Sequence, residues 1–200
     1  MIPFTIELNG VKVNKEIPTT WNEVTFEQYL KILKVNTNEA EFLSVFTEIE
    51  PETIKKAKIK GLENLLLALD FLKDAPDWTH KPEVFMGMPM PNDITFEALG
   101  PYIDCRSILF DVQAKGLPEF VEAYAKYCAI YLQAIDTDWT GYDHDKAMQY
   151  VREILKQPAG EVVGLGSFFI SKFLTLKTNM QEKSPAKATP RKKSKRVMKS

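Results

Sequence analysis

Residues 118–132 constrain the fold more than any other stretch. Pro118 is placed for a first helical turn, and Phe120, Val121, Tyr124, Tyr127, Cys128, Tyr131 and Leu132 follow as the broad apolar stripe of a buried helix. Such a helix needs other elements around it, so the rest of the chain has to supply a shell. At 200 residues, 44% of them hydrophobic, the chain is long enough to build one well-buried core.

The shell is legible as further helices. Thr25-Phe-Glu-Gln28 has an N-cap hydroxyl followed three residues later by Gln, a capping box that predicts a helix from about Phe26 to Val35. Asn38-Glu-Ala-Glu41 starts a second helix with Phe42, Leu43, Val45, Phe46 and Ile49 on its apolar face, and Pro51 opens a third. Leu62, Leu65, Leu66, Leu69 and Leu72 recur at helical spacing. Thr95-Phe-Glu-Ala98 predicts another start, with Ile103, Ile108, Leu109 and Val112 as the face and Gly116 as the stop. Residues 147–156 and 161–177 read as the last two helices.

Two stretches are not helical. Phe4–Leu8 and Val11–Ile17 alternate apolar and polar residues around Asn9-Gly10, a dipeptide suited to positive φ at both turn positions, so a β-hairpin is expected. Between Asp74 and Pro91, four prolines (Pro76, Pro82, Pro89 and Pro91) predict an irregular crossing segment. That segment carries Trp78, Phe85, Met86, Met88 and Met90, which either pack back on the core or contact a partner. The expected fold is mainly α: about seven helices with an N-terminal hairpin over 1–18, in one domain spanning 1–182.

Charge divides the chain in two. Residues 1–182 hold 18 basic and all 27 acidic residues, a balance of −9, whereas 183–200 hold eight basic residues and no acid. That tail, with two prolines and little to bury, is expected to be disordered on its own. Lys183, Lys187, Arg191, Lys192, Lys193, Lys195, Arg196 and Lys199 could neutralise nucleic-acid phosphates without base specificity, since no aromatic side chain is interleaved among them. They could equally dock on an acidic protein surface, the chain's own included, or serve no specific contact.

The sequence carries no diagnostic chemistry. Asp136, Asp138, Thr140 and Gly141 match early positions of a calcium loop, but the twelfth position is Ala147 and the bidentate carboxylate is missing. A polar loop in which Asp143 or Asp145 caps the next helix is expected instead. His80 and His144 stand in unrelated loops away from Cys105 and Cys128, and no zinc spacing or nucleophile elbow is present. The two cysteines are expected to be buried reduced thiols. Gly160, Gly164 and Gly166 with Ser167 lack the Gly-Lys-Ser/Thr ending of a phosphate loop, so close helix packing or a kink before Phe168 and Phe169 accounts for them. No catalytic, cofactor or metal residues are expected, and an enzyme would draw first on Asp136, Asp138, Asp143 and His144. The N-terminus has no signal-peptide pattern, and the apolar runs 62–72 and 162–176, broken by Asp70 and Lys172, are too short to span a bilayer, so a cytosolic protein without membrane contact is expected.

A family pattern lies over this layout. The hairpin leading into Pro18-Thr-Thr-Trp21-Asn-Glu-Val24-Thr-Phe-Glu-Gln-Tyr29, the helices after it, and Pro158-Ala-Gly-Glu161-Val-Val-Gly-Leu-Gly166-Ser-Phe168-Phe169 resemble small morphogenesis proteins of tailed bacteriophages over residues 1 to about 178. Some of those proteins are similar to tail-assembly chaperones, and others are built into the virion. The resemblance implies a non-enzymatic product that meets phage structural or assembly proteins, or itself, in the host cytoplasm or the virion. It assigns no site residues and does not extend to the basic tail. The alternative is a nucleic-acid-associated adaptor tethered through 183–200.

Overall fold

The alternating N-terminal residues pair as an antiparallel hairpin, β1 (Ile2–Leu8) with β2 (Val11–Ile17), in register from Ile2 opposite Ile17 to Leu8 opposite Val11. The computed structural model describes residues 1–8, 10–35, 38–60, 62–94 and 98–183. Asn9 of the expected turn thus lies outside the described residues, while Gly10 sits at φ +81°, the left-handed region that glycine enters without strain. The free edge of β1 is taken by β3 (Lys58–Lys60), giving the order β2-β1-β3. This third strand was not foreseen. Three residues are too few to show a period, and the strand exists only because β1 offers it a ladder.

α1 (Phe26–Lys34) begins as its capping box requires. The Gln28 amide donates to Thr25 Oγ1 at 3.2 Å, and the Thr25 amide donates back to Gln28 Oε1 at 3.0 Å. α2 (Glu39–Thr47) is capped by Asn38, whose Oδ1 accepts from the Ala40 amide, and α3 (Pro51–Ile54) starts on its proline. The leucine run is not one helix: α4 covers Leu62–Ala68 and a 3-10 turn follows at Asp70–Lys73.

α5 (Leu99–Val112) starts after the expected position. Ala98 precedes it in extended conformation with no side-chain cap, and Thr95, Phe96 and Glu97 lie outside the described residues. Gly116 is not the stop of α5, which ends at Val112, but the residue before α6 (Leu117–Asp136). α6 is enclosed as its stripe demands, with Val121, Ala123 to Ala125 and Tyr127 to Ala134 all buried. Packed around it are α1, α5, α7 (His144–Ile154) and α8 (Ala159–Lys183). With eight α-helices among the described residues, the fold is mainly helical with an N-terminal hairpin.

α8 is longer than expected, and its window Ala159–Leu176 is long and apolar enough to cross a membrane by length and composition. Half of that window is buried in the fold, and Val162, Val163, Leu165, Phe169 and Phe173 belong to the same core as α6. Two of its glycines permit the contact. A Cβ on Gly166 would lie 2.6 Å from Cβ of Tyr124, and one on Gly164 would lie 1.8 Å from the carbonyl oxygen of His80. Close packing, not a phosphate loop, is what these glycines serve.

Candidate interaction surfaces

The Pro-rich segment faces inward. Val84–Phe85 (β4) and Met88–Pro89 (β5) form a small hairpin whose two turn residues, Met86 at φ 49° and Gly87 at φ 80°, are both left-handed. That is the turn geometry whose twist suits a two-residue connection. Phe85 and Met90, for which either core packing or a partner contact was open, are buried in the core, while Trp78, Met86 and Met88 pack half-buried against it. Trp78 meets Tyr124 edge to face at 5.7 Å. Lys81 donates to the carbonyls of Met90 and Pro91, and both Lys81 and Lys172 stand over the Phe168 ring. Lys172 also bonds Asp93 at 2.7 Å, which holds the Asp93 carboxyl below the usual carboxylate range, assisted by the Ile94 amide. Of the two roles open to this segment, packing on the core is the one these contacts fill.

The acidic loop 136–145 is a structural connection. α6 runs into Asp136, Asp138 and Trp139 turn left-handed, and Asp143 caps α7 by accepting from the Lys146 amide at 3.1 Å. Tyr150 donates to Asp136 Oδ2 at 3.3 Å. No group of three or more His, Cys, Asp or Glu placed to hold a metal occurs among the described residues.

Of the loop's residues, His144 gains a partner invisible in the sequence. Its Nδ1 lies 2.8 Å from Asp104 Oδ2 on α5, and the Tyr142 hydroxyl donates to the same oxygen. Burial, then the bond to Asp104, pushes the Tyr142 phenol up. A histidine held by a carboxylate has the form of a general-base pair, and the grooves between α2 and α4 and around α1 lie elsewhere. What the cluster does is tie α5 to the start of α7. Gly100 gives the Tyr142 ring its place, since a Cβ there would fall 2.8 Å from the ring. Cys105 and Cys128 are free and buried, and burial pushes both thiols up.

The basic tail residues Lys187, Arg191, Lys192, Lys193, Lys195, Arg196 and Lys199 lie outside the described residues, as does the side chain of Lys183.

Among the described residues, two exposed apolar surfaces stand out. The first is the outer side of α5. Its inner row, Pro101, Cys105, Leu109 and Val112, is buried, and the Cys105 carbonyl accepts from the Tyr127 hydroxyl at 2.8 Å. Opposite it Leu99 (72% exposed), Ile103 (53%) and Phe110 (78%) form a second row in solvent, interrupted by the exposed Arg106, with Leu117 beyond the helix end. Ile103, expected on the inner face, sits six residues before Leu109, roughly 240° around the axis, and so points away. An even spread of apolar side chains around a surface helix signals a face awaiting cover.

The second is a groove of about 680 Å³ between α2 and α4. Its apolar lining comprises Phe42, Leu43, Leu66, Leu67, Leu69 and Leu72, and Glu39, Glu63, Asp70 and Lys73 line it as well. α4 buries Leu65 and turns Leu67, 72% exposed, outward.

The two stretches that carry the phage resemblance meet in space. The Ala159 amide donates to the Val24 carbonyl at 2.8 Å, the Phe26 and Glu27 amides donate to the carbonyls of Gln157 and Leu155, and Gly160 lies against Trp21 and Asn22. They form the joint between the start of α1 and the α7–α8 turn. No family model, curated protein or solved structure matches the chain.

Proposed function

We propose that this chain is a non-enzymatic assembly protein, of the kind found among bacteriophage morphogenesis factors, that presents the outer face of α5 to a protein partner. The exposed row of Leu99, Ile103 and Phe110 supports this. Fully burying side chains of this size is favourable by roughly 1.5–3 kcal/mol each, enough for three or four to anchor a complex. The phage assignment rests on the sequence resemblance alone. Its test is mass spectrometry of particles and assembly intermediates from infected cells. Stoichiometric copies in mature particles make the protein a virion component, copies confined to intermediates make it a chaperone, and absence from both removes the phage reading.

The eight cations and no acid of 183–200 favour nucleic-acid tethering as a second reading. Gel-shift titrations across a salt series, with full-length protein and protein truncated after Glu182, test it. Binding that is steeply salt-dependent and vanishes on truncation is expected, and unchanged binding excludes the tail.

A further inference from the structure

We infer that the groove between α2 and α4 is the docking site for the chain's own C-terminal segment, residues 184–200. The groove asks for an occupant with two properties. Its apolar lining of Phe42, Leu66, Leu67, Leu69 and Leu72 needs aliphatic cover, and beside it stand Glu39, Glu63 and Asp70 against the single cation Lys73, which already pairs with Asp70. An apolar anchor flanked by positive charge answers both. Within 184–200 the only apolar residues larger than Ala and Pro are Val197 and Met198, and they stand between Lys195-Arg196 and Lys199.

The length of chain fits. α8 starts beside Trp21 and Asn22, and Phe71, between the groove residues Asp70 and Leu72, packs on Trp21 at 5.2 Å, so the groove lies near the N-terminal end of α8. The 25 residues of α8 carry the chain about 37 Å away from there. From Lys183 to Val197 are 14 residues, which in extended form span about 46–50 Å. The segment therefore reaches back along a body of net charge −9 and delivers its apolar pair to the groove without slack to spare. Stretching the tether over this distance lowers the effective concentration it supplies, so docking within the chain depends on the groove contacts themselves. Because the groove's charges are exposed, the contact is weakened by salt.

The test uses the full chain carrying Asn64→Cys on exposed α4 and Ser200→Cys, which spares Val197 and Met198. Native Cys105 and Cys128 are buried, so copper-phenanthroline oxidation reads the introduced pair. The comparison pair is Gln113→Cys with Ser200→Cys. Gln113 is exposed just past the end of α5, a helix whose Tyr102 packs on Phe173 of α8, and it lies outside the groove. Circular dichroism establishes that all variants are folded. An intrachain disulfide forming at least tenfold faster with Asn64→Cys than with Gln113→Cys is expected. That advantage should fall severalfold in 1 M salt, with Glu39→Lys plus Glu63→Lys, or with Val197→Ser plus Met198→Ser. Equal rates for the two pairs, an advantage indifferent to all three changes, or disulfides formed only between chains would overturn the inference.

Discussion

A Cβ on Gly164 would stand 1.8 Å from the His80 carbonyl oxygen, a backbone atom that cannot step aside as a side chain can. Gly164→Ala is therefore expected to cost about 3 kcal/mol or more in urea unfolding, at the upper end of overpacking penalties. A Cβ on Gly160, one turn earlier, would meet only side-chain atoms, Asn22 Oδ1 at 3.1 Å and Trp21 Cβ at 4.0 Å, and Ala there gains helix propensity, so Gly160→Ala should stay within about 1 kcal/mol of the parent. If the two variants unfold alike, the close approach of α8 to the His80 loop is not what restricts Gly164. That glycines in 160–166 serve packing was legible in the sequence. Which of them is indispensable was not, because the opposing atom belongs to a loop some eighty residues away. The same holds for His144, whose partner Asp104 sits on another helix.

At the scale of elements, helix starts marked by a polar cap or by a first-turn proline were readable, and the start of α5, which has neither at its cap, was not. Thr25, Asn38 and Asp143 each accept from an amide two or three residues on, a bond that any sequence window contains. Ala98 offers no such oxygen, so the start of α5 could not be read from its cap. Thr25→Ala should cost about 1 kcal/mol, measured by chemical denaturation. The loss should not be much larger, since only the part-buried Gln28 amide loses its acceptor while the Phe26 and Glu27 amides keep the Gln157 and Leu155 carbonyls.

The latch of the Pro-rich segment to α8 has a pH signature. The Asp93 carboxyl is held low by Lys172, so its folded form releases the proton more readily than the unfolded chain does. The resulting stabilisation is complete above the ordinary aspartate range and is lost as pH falls through the depressed folded value. Asp93 is exposed, so the effect is small. Comparing Asp93→Asn with the parent, the difference in urea midpoint present at pH 6 should shrink as the pH is lowered through 4 toward 3. A difference that stays constant with pH would show that Lys172 does not bias the carboxyl.

At the scale of the whole molecule, the outer row of α5 separates stability from association. Phe110 is 78% exposed, so Phe110→Asp should leave the folding free energy within about 0.5 kcal/mol of the parent. Under the proposed function it should also weaken capture of the partner at least tenfold. Thermal unfolding measures the first and a quantitative pull-down of co-expressed assembly proteins the second. A variant that unfolds early would mean that α5 is core on both sides. The acidic body and basic tail set the other large-scale feature, since opposite charge on one chain favours an internal partner before an external one.

By itself the sequence determined the helical class, the hairpin, the polar caps, the enclosure of the 118–132 helix and the split between acidic body and basic tail. These follow from periodicity, i to i+4 geometry and composition, which are local or additive properties. Tertiary structure alone decided that Lys58–Lys60 becomes a strand, that Phe85 and Met90 turn into the core, that Asp104 meets His144, and that Ile103 and Phe110 remain in solvent. Each of these depends on which distant segment arrives alongside. An apolar residue records only that it favours burial, and the neighbours the fold brings to it decide whether that burial is met within the chain.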